Sequence, residues 1–338
     1  MGYGFQSADK EVGAAKMKYY LGVDLGGTNI AAGVVDEHFR IIAKHSIPTL
    51  AGRSVDEISS DLAKVSRHVI SQAGLKVSDF TSWGIGMPSC LNPKTGRLVH
   101  SNNMGWRNVL ILDTLGKYLD LPIIIENDAN CAALGESLNG AARDFDNAVL
   151  ITLGTGVGGG LILDRKIYSG ADHMGGELGH IKMVYNGTTC TCGQKGCFEA
   201  YASATALIRQ TQEAMKRNPK SIMNELSGGL DKVTGRTAFD AARKGDAAAL
   251  GVVDQYAEYI ACGLSSLITI FRPEVIIIGG GISNEGGYLL DRINDKILVN
   301  TFGALECGVP SVIKAQLGND AGIIGAAMLE LCSAMRKV

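Results

Sequence analysis

The sequence predicts an α/β protein built as two similar halves. Apolar runs that end in glycine clusters alternate with amphipathic helical stretches, the pattern of layered sheets and helices. "YYLGVDLGGTNIAAGVVDEHFRIIAKHSI" (19–47) reads as strand, Gly turn, strand, polar turn, strand. "NAVLITLGTGVGGGLILDRKIYSG" (147–170) repeats that plan. A repeat about 130 residues long points to duplicated halves rather than to a short-period array.

In the first half, Asp36-Glu37 closes the second hairpin, and residues 55–74 form an amphipathic helix. "SWGIGMP" is a strand, residues 109–119 a helix, and "LPIIIEND" a buried strand. In the second half a cysteine-rich segment follows the Gly turn, then helices run from about Ala202 to Ile270. "EVIIIGGG" is another buried strand. "GNDAGIIGAAMLELCSAM" closes the chain as a helix, with Asn319 or Asp320 available as its cap.

A chain of 338 residues suggests two domains. With 46% hydrophobic residues it can bury a large core. A net charge of −2 without a long basic run argues against nucleic acid as a partner. Residues 1–16 read as a flexible extension without an apolar signal region, and Met17 as a natural start. No apolar run has the length and composition of a membrane span. The expected compartment is the cytoplasm, where clustered cysteines mean metal or catalysis more often than disulfides.

"DLGGTN" (24–29) joins two strands. Gly26 and Gly27 lack Cβ atoms, so backbone N–H groups can face a phosphate. Thr28 adds a hydroxyl, and Asp24 suits a hydrated Mg²⁺. "GTGVGGG" (154–160) also fits G-x-G-x-x-G, but a dinucleotide fingerprint must open a helix and here a strand follows. No Gly-Lys-Ser/Thr makes it a Walker loop. A second phosphate clamp explains it better. "IIIGGGIS" (276–283) is a third glycine cluster at a strand end, where α/β sheets bind ligands.

"IIIENDAN" (123–130) places Asn127 and Asp128 at the end of a buried strand. Asp128 there suits either a helix N-cap or a general base acting on a hydroxyl; Glu126 reads as structural. Cys190, Cys192 and Cys197 have C-x-C-x4-C spacing, with His180 ten residues upstream. Three cysteines and one histidine make a closed structural zinc site. An iron–sulfur cluster lacks its fourth cysteine nearby. His173 is off the register of the motif. Cys90, Cys131, Cys262, Cys307 and Cys332 are scattered and read as small core residues.

Over residues 19–335 the chain resembles the ROK family of sugar kinases and repressors, and within it the bacterial glucokinases. The family signature L-x2-G-V-G-x-G-L-x8-G-x5-G-x2-G-H runs from Leu153 to His180, and C-x-C-G-x2-G-C-x-E is "CTCGQKGCFE" (190–199). "DLGGTN", "ENDANCAALGE", "SNNMGW", "GGELGH" and "LGNDAG" also fit. Ser89 and Met104 depart from the usual Gly and Leu.

The resemblance implies a two-domain actin- and hexokinase-like fold, a duplicated ribonuclease H-like unit with an interdomain cleft. One domain would hold 17–128 plus 318–338, the other 129–317. It implies ATP-dependent phosphorylation of a hexose 6-hydroxyl, with glucose as the favoured acceptor and Asp128 as base. N-acetylmannosamine, fructose or allose would be alternative substrates, and polyphosphate an alternative donor. Asn103, Asn127, Asp128, Glu177, His180 and Glu199 would touch the sugar, His180 while holding structural Zn²⁺. Asp24, Gly26, Gly27, Thr28, Asn29, Thr155 and Gly156 would serve ATP and Mg²⁺, with Gly280 and Gly281 near the adenosine. A dimer or tetramer is implied. A sugar-responsive repressor would need a helix-turn-helix, for which about 18 residues before the first strand are too few.

Overall fold

The computed structural model describes residues 17–89, 91–92, 95–101 and 104–334. The expected extension 1–16, Cys90, Asn103 and residues 335–338 lie outside the described residues.

In the first half, β1 (Tyr19–Leu25), β2 (Asn29–Asp36) and β3 (Ile41–Pro48) pair antiparallel. α1 (Val55–Gln72) follows, opened by a capping box between Ser54 and Glu57. β4 (Trp83–Met87) then pairs parallel with β1. A small antiparallel sheet comes next, formed by β5 (Leu91–Asn92), β6 (Arg97–Ser101) and β7 (Trp106–Val109). After α2 (Ile111–Leu115), β8 (Ile123–Asn127) pairs parallel with β4. The large sheet has the order β3-β2-β1-β4-β8.

α3 (Asp128–Asn139) leads into the second half. β9 (Ala148–Leu153), β10 (Val157–Leu163) and β11 (Lys166–Ile167) again pair antiparallel. Helices α4 (Glu199–Ala202), α5 (Ala204–Arg217), α6 (Met223–Ser227), α7 (Thr237–Arg243) and α8 (Ala247–Phe271) follow the cysteine segment. β12 (Val275–Gly279) pairs parallel with β9. α9 (Gly287–Asn300) and α10 (Ala304–Cys307) lead to β13 (Ser311–Lys314), parallel to β12. The order β11-β10-β9-β12-β13 has the plan of the first sheet. α11 (Asp320–Ala327) and α12 (Leu329–Ala334) end the described chain.

Each sheet has its own apolar core, the first around Trp83 and Ile85, the second around Phe198, Phe239 and Tyr256. A third core lies around α3 and α11. There the packing is backbone to backbone. A Cβ on Gly325 would meet the carbonyl oxygen of Cys131, and one on Gly135 that of Ala321. On the sheet side, Gly22 and Gly84 admit the carbonyl oxygens of Ile323 and Ala326. The buried Glu136 carboxylate accepts the N–H groups of Ala141 (2.7 Å), Leu317 (2.8 Å) and Gln316 (3.2 Å), tying α3 to the segment that enters α11.

The structure corrects four expectations. The helix at 109–119 is only Ile111–Leu115, because Val109 pairs with Leu98 in the small sheet, which the sequence reading missed. The final helix breaks at Met328. Neither proposed residue caps it: Asn319 already has helical φ/ψ and makes no side-chain cap, while Asp320 pairs with Lys44 at 2.9 Å. Cys262 and Cys307 are exposed, Cys262 lying off the buried stripe of α8; Cys131 is buried as expected. No helix among the described residues is long and apolar enough to cross a membrane.

Gly325→Ala should lower stability by about 1–3 kcal/mol through overpacking against Cys131, read as a lower denaturation midpoint.

Candidate active site and metal centre

The parallel strands β1, β4 and β8 end on one edge of the first sheet. In the ladder Asp24 lies opposite Gly86, and Gly86 opposite Glu126. Gly86 makes room for α3: a Cβ there would stand 3.1 Å from Cys131 Sγ and 3.6 Å from Cα of Asp128. Asn127 takes the cap of α3, its Oδ1 accepting Ala129 N–H (2.9 Å) and Asn130 N–H (3.1 Å). Asp128, the first residue of α3, is therefore not the cap, although its Oδ1 also accepts the Ala129 N–H at 2.9 Å.

Burial pushes the Asp128 carboxyl up to about 6, and the Glu177 carboxylate adds to this against the Ala129 N–H. Burial, then the charge of Asp128, pushes Asp24 up to about 7. Asp128 thus feels the charge of Glu177, and Asp24 that of Asp128. Burial works against ionising Glu126, but His173, the Asn127 N–H and the Asn130 amide outweigh it and hold that carboxyl below its usual range.

A cleft of about 650 Å³ opens over Asp24, Gly26, Gly27, Thr28 and Asn29, with Lys44 on its wall. Its loop is a tight turn closed by Gly26 N–H to Asn29 O at 2.9 Å. Thr49 fixes it from beyond β3: its hydroxyl donates to Gly26 O (2.7 Å) and its N–H to Thr28 O (2.8 Å). The second loop is fixed from α5, where Thr205 donates its hydroxyl to Thr155 O and Ala204 its N–H to Gly154 O, both at 2.8 Å. Gly280, at φ +77°, lets β12 turn away against Leu153, and Gly281 beside it faces open space.

His180, Cys190, Cys192 and Cys197 bring their ligand atoms within 4.8 Å of one another. Cys192 Sγ–Cys197 Sγ and Cys190 Sγ–His180 Nδ1 are both 3.8 Å. Zn–S bonds of about 2.3 Å at tetrahedral angles put sulfurs about 3.8 Å apart, so the cluster fits a structural zinc site. Burial pushes the Cys190 thiol up to about 12, with Glu199 adding to the effect; a bound cation would favour the thiolate. Lys182 Nζ lies 3.2 Å from Cys197 Sγ.

Glu199 spans the knot and the second loop. Its Oε1 accepts from Thr191 Oγ1 (2.5 Å) and Cys190 Sγ (3.2 Å), and its Oε2 from Val157 N–H (3.1 Å). Gly156 stays open only for this carboxylate, which a Cβ would strike. The sequence reading missed Thr49, Thr205 and Thr191 because a hydroxyl that braces a loop leaves no motif. It set His173 aside, although the ring lies against Glu126.

Two sheets of identical plan, with glycine loops facing a carboxylate cluster, define an actin-like α/β architecture. The family model described as "ROK family" matches residues 20–332, and the chain belongs to the ROK family. It is 37% identical to a glucokinase of Thermotoga maritima, over 91% of this chain and 96% of that protein. It is 38% identical to a glucokinase of Halalkalibacterium halodurans, over 92% and 94% of the two chains. Among solved structures it resembles the ROK family glucokinase of Streptomyces griseus in complex with glucose and AMPPNP (TM-score 0.79, 35% identity, 92% of this chain and 98% of that one). The ROK hexokinase of Thermus thermophilus is similarly close (TM-score 0.79, 32% identity, 93% and 99% coverage).

Cys192→Ser should abolish stoichiometric zinc, measured by atomic absorption, and lower Tm by roughly 5–10 °C.

Proposed function

We propose that the protein transfers the terminal phosphoryl group of ATP to the 6-hydroxyl of a hexose, with glucose as the preferred acceptor. The carrying observation is Asp128: a carboxylate at a strand end, where Asn127 takes the helix cap, raised to about 6 by burial and Glu177. A base with that value is ionised at neutral pH yet basic enough to take a hydroxyl proton. The family's glucokinases support the choice of sugar. N-acetylmannosamine, fructose and allose are the competing acceptors, and polyphosphate the competing donor.

In this reading the braced loops, lined by Gly26, Gly27, Thr28, Asn29, Thr155 and Gly156, hold the phosphates by the backbone N–H groups that the turns leave unused, the Gly26 N–H being taken by Asn29 O. Gly280 and Gly281 border the adenosine. Asp24 makes no hydrogen bond among the described residues and shares its site with Asp128, so it suits a cation. Mg²⁺, when bound, supplies neutralisation of the phosphate charge. Asn103, Asn127, Glu177, His180 and Glu199 orient the sugar while Asp128 takes the proton from its 6-hydroxyl. Segments 17–128 with 318–338, and 129–317, act as two domains that close and exclude water, a competing acceptor. A dimer or tetramer is the proposed assembly.

Asp128→Asn should lower kcat by about 10²–10⁴ with hexose affinity little changed; near-normal turnover would remove Asp128 from the role. Because the base acts when deprotonated, kcat/KM should fall as pH drops through about 6. An acid limb near the ordinary carboxylate value would contradict this. A panel of hexoses with ATP, followed by ADP release, tests the substrate; equal or better turnover of another sugar would displace glucose.

A further inference from the structure

Residues 170–177 carry Glu177 into the site, and His173 sits in their middle at φ +61°. That region favours glycine, and a non-Gly residue stays there only when its surroundings hold it. The His173 Nδ1 lies 3.8 Å from Glu126 Oε2 and 3.5 Å from Ser169 Oγ. Glu126 is buried, and its Oε1 accepts the Asn127 N–H and the Asn130 Nδ2, each at 3.0 Å. Asn130 Oδ1 is buried with no hydrogen-bond partner, 3.7 Å from where a Cβ of Gly176 would stand.

Glu126 and Asn130 thus form a polar floor under this segment. His173 Nδ1 approaches it to 3.8 Å, beyond ideal hydrogen-bond length, and helps hold the Glu126 carboxyl below its usual range. Asn130 Oδ1, a buried acceptor without a donor among the described residues, is costly. A small settling of the segment would shorten the His173–Glu126 contact.

We propose that His173 is a positioning residue, a latch that seats residues 170–177 on Glu126 and Asn130 and so holds Glu177 beside Asp128 for the sugar. The proposal rests on the hexose-kinase reading. Histidine suits the task because its ring nitrogen meets a carboxylate from a left-handed backbone. Asparagine also tolerates that backbone and places its Nδ2 near the position of the ring Nδ1. Glycine relieves the backbone but removes the donor.

The test compares wild type, His173→Gly and His173→Asn with glucose and ATP. His173→Gly should raise the hexose KM about tenfold, the loss of one charge-assisted contact, while kcat changes less than about threefold. Its Tm should hold or rise, since backbone strain is relieved, and its amides at 170–178 should exchange faster. His173→Asn should return KM to within about twofold of wild type. An unchanged KM in His173→Gly, or His173→Asn as impaired as His173→Gly, overturns the latch. Wild type that releases no ADP with any hexose sinks the kinase reading instead. The exchange measurement still decides the latch in that case, because unchanged exchange at 170–178 in His173→Gly removes it.

Discussion

The crossing of α3 and α11 is the constraint on which the rest of the molecule depends. At Gly325 and Gly135 the two helices touch backbone to backbone, and Gly22 and Gly84 bring α11 equally close to the first sheet. Such close backbone contacts resist sliding of one helix along the other. The crossing also runs beneath the carboxylates of the proposed site. Asp128 is the first residue of α3, and Gly322 of α11 lies directly under Asp24, a Cβ there standing 2.6 Å from Asp24 Oδ2. The two carboxylates are placed by the helices that join the halves.

Placing them there has an electrostatic cost that the fold bears. Burial raises both Asp24 and Asp128, with the charge of Asp128 adding to the effect at Asp24 and that of Glu177 at Asp128. Glu126, buried beside them and two residues before α3 begins, goes the other way because donors surround it. Neighbouring acids are thus sorted by partners rather than by depth.

Much of the fold was legible because its signals are periodic or conformational. The duplicated strand–glycine–strand plan foretold both sheets, and the glycines at 26–27 and 154–160 marked the loops. The cluster of His180, Cys190, Cys192 and Cys197, which fits a structural zinc site, was legible from its spacing, because chelation needs particular side chains within a short turn. What escaped were contacts between segments far apart in the chain. Val109 reads as helical until Leu98 pairs with it. Asp320 reads as a cap until Lys44, from the opposite end of the sequence, takes its carboxylate. His173 has meaning only once Glu126 lies beside it. Met104, which departs from the family's usual Leu, is buried as apolar packing requires.

The two threonine braces carry one more lesson. Thr49 lies just beyond an edge strand, whereas Thr205 lies in the first turn of a helix some forty residues past the corresponding strand of the other half, by rough count of the chain. They are not equivalent positions of a duplicated unit, yet each donates a hydroxyl to a carbonyl of its own glycine loop. A glycine-rich turn has little shape of its own. The halves therefore share an architecture by descent of plan but reached the stiffening of their loops by separate means, the mark of a mechanical requirement rather than an inheritance.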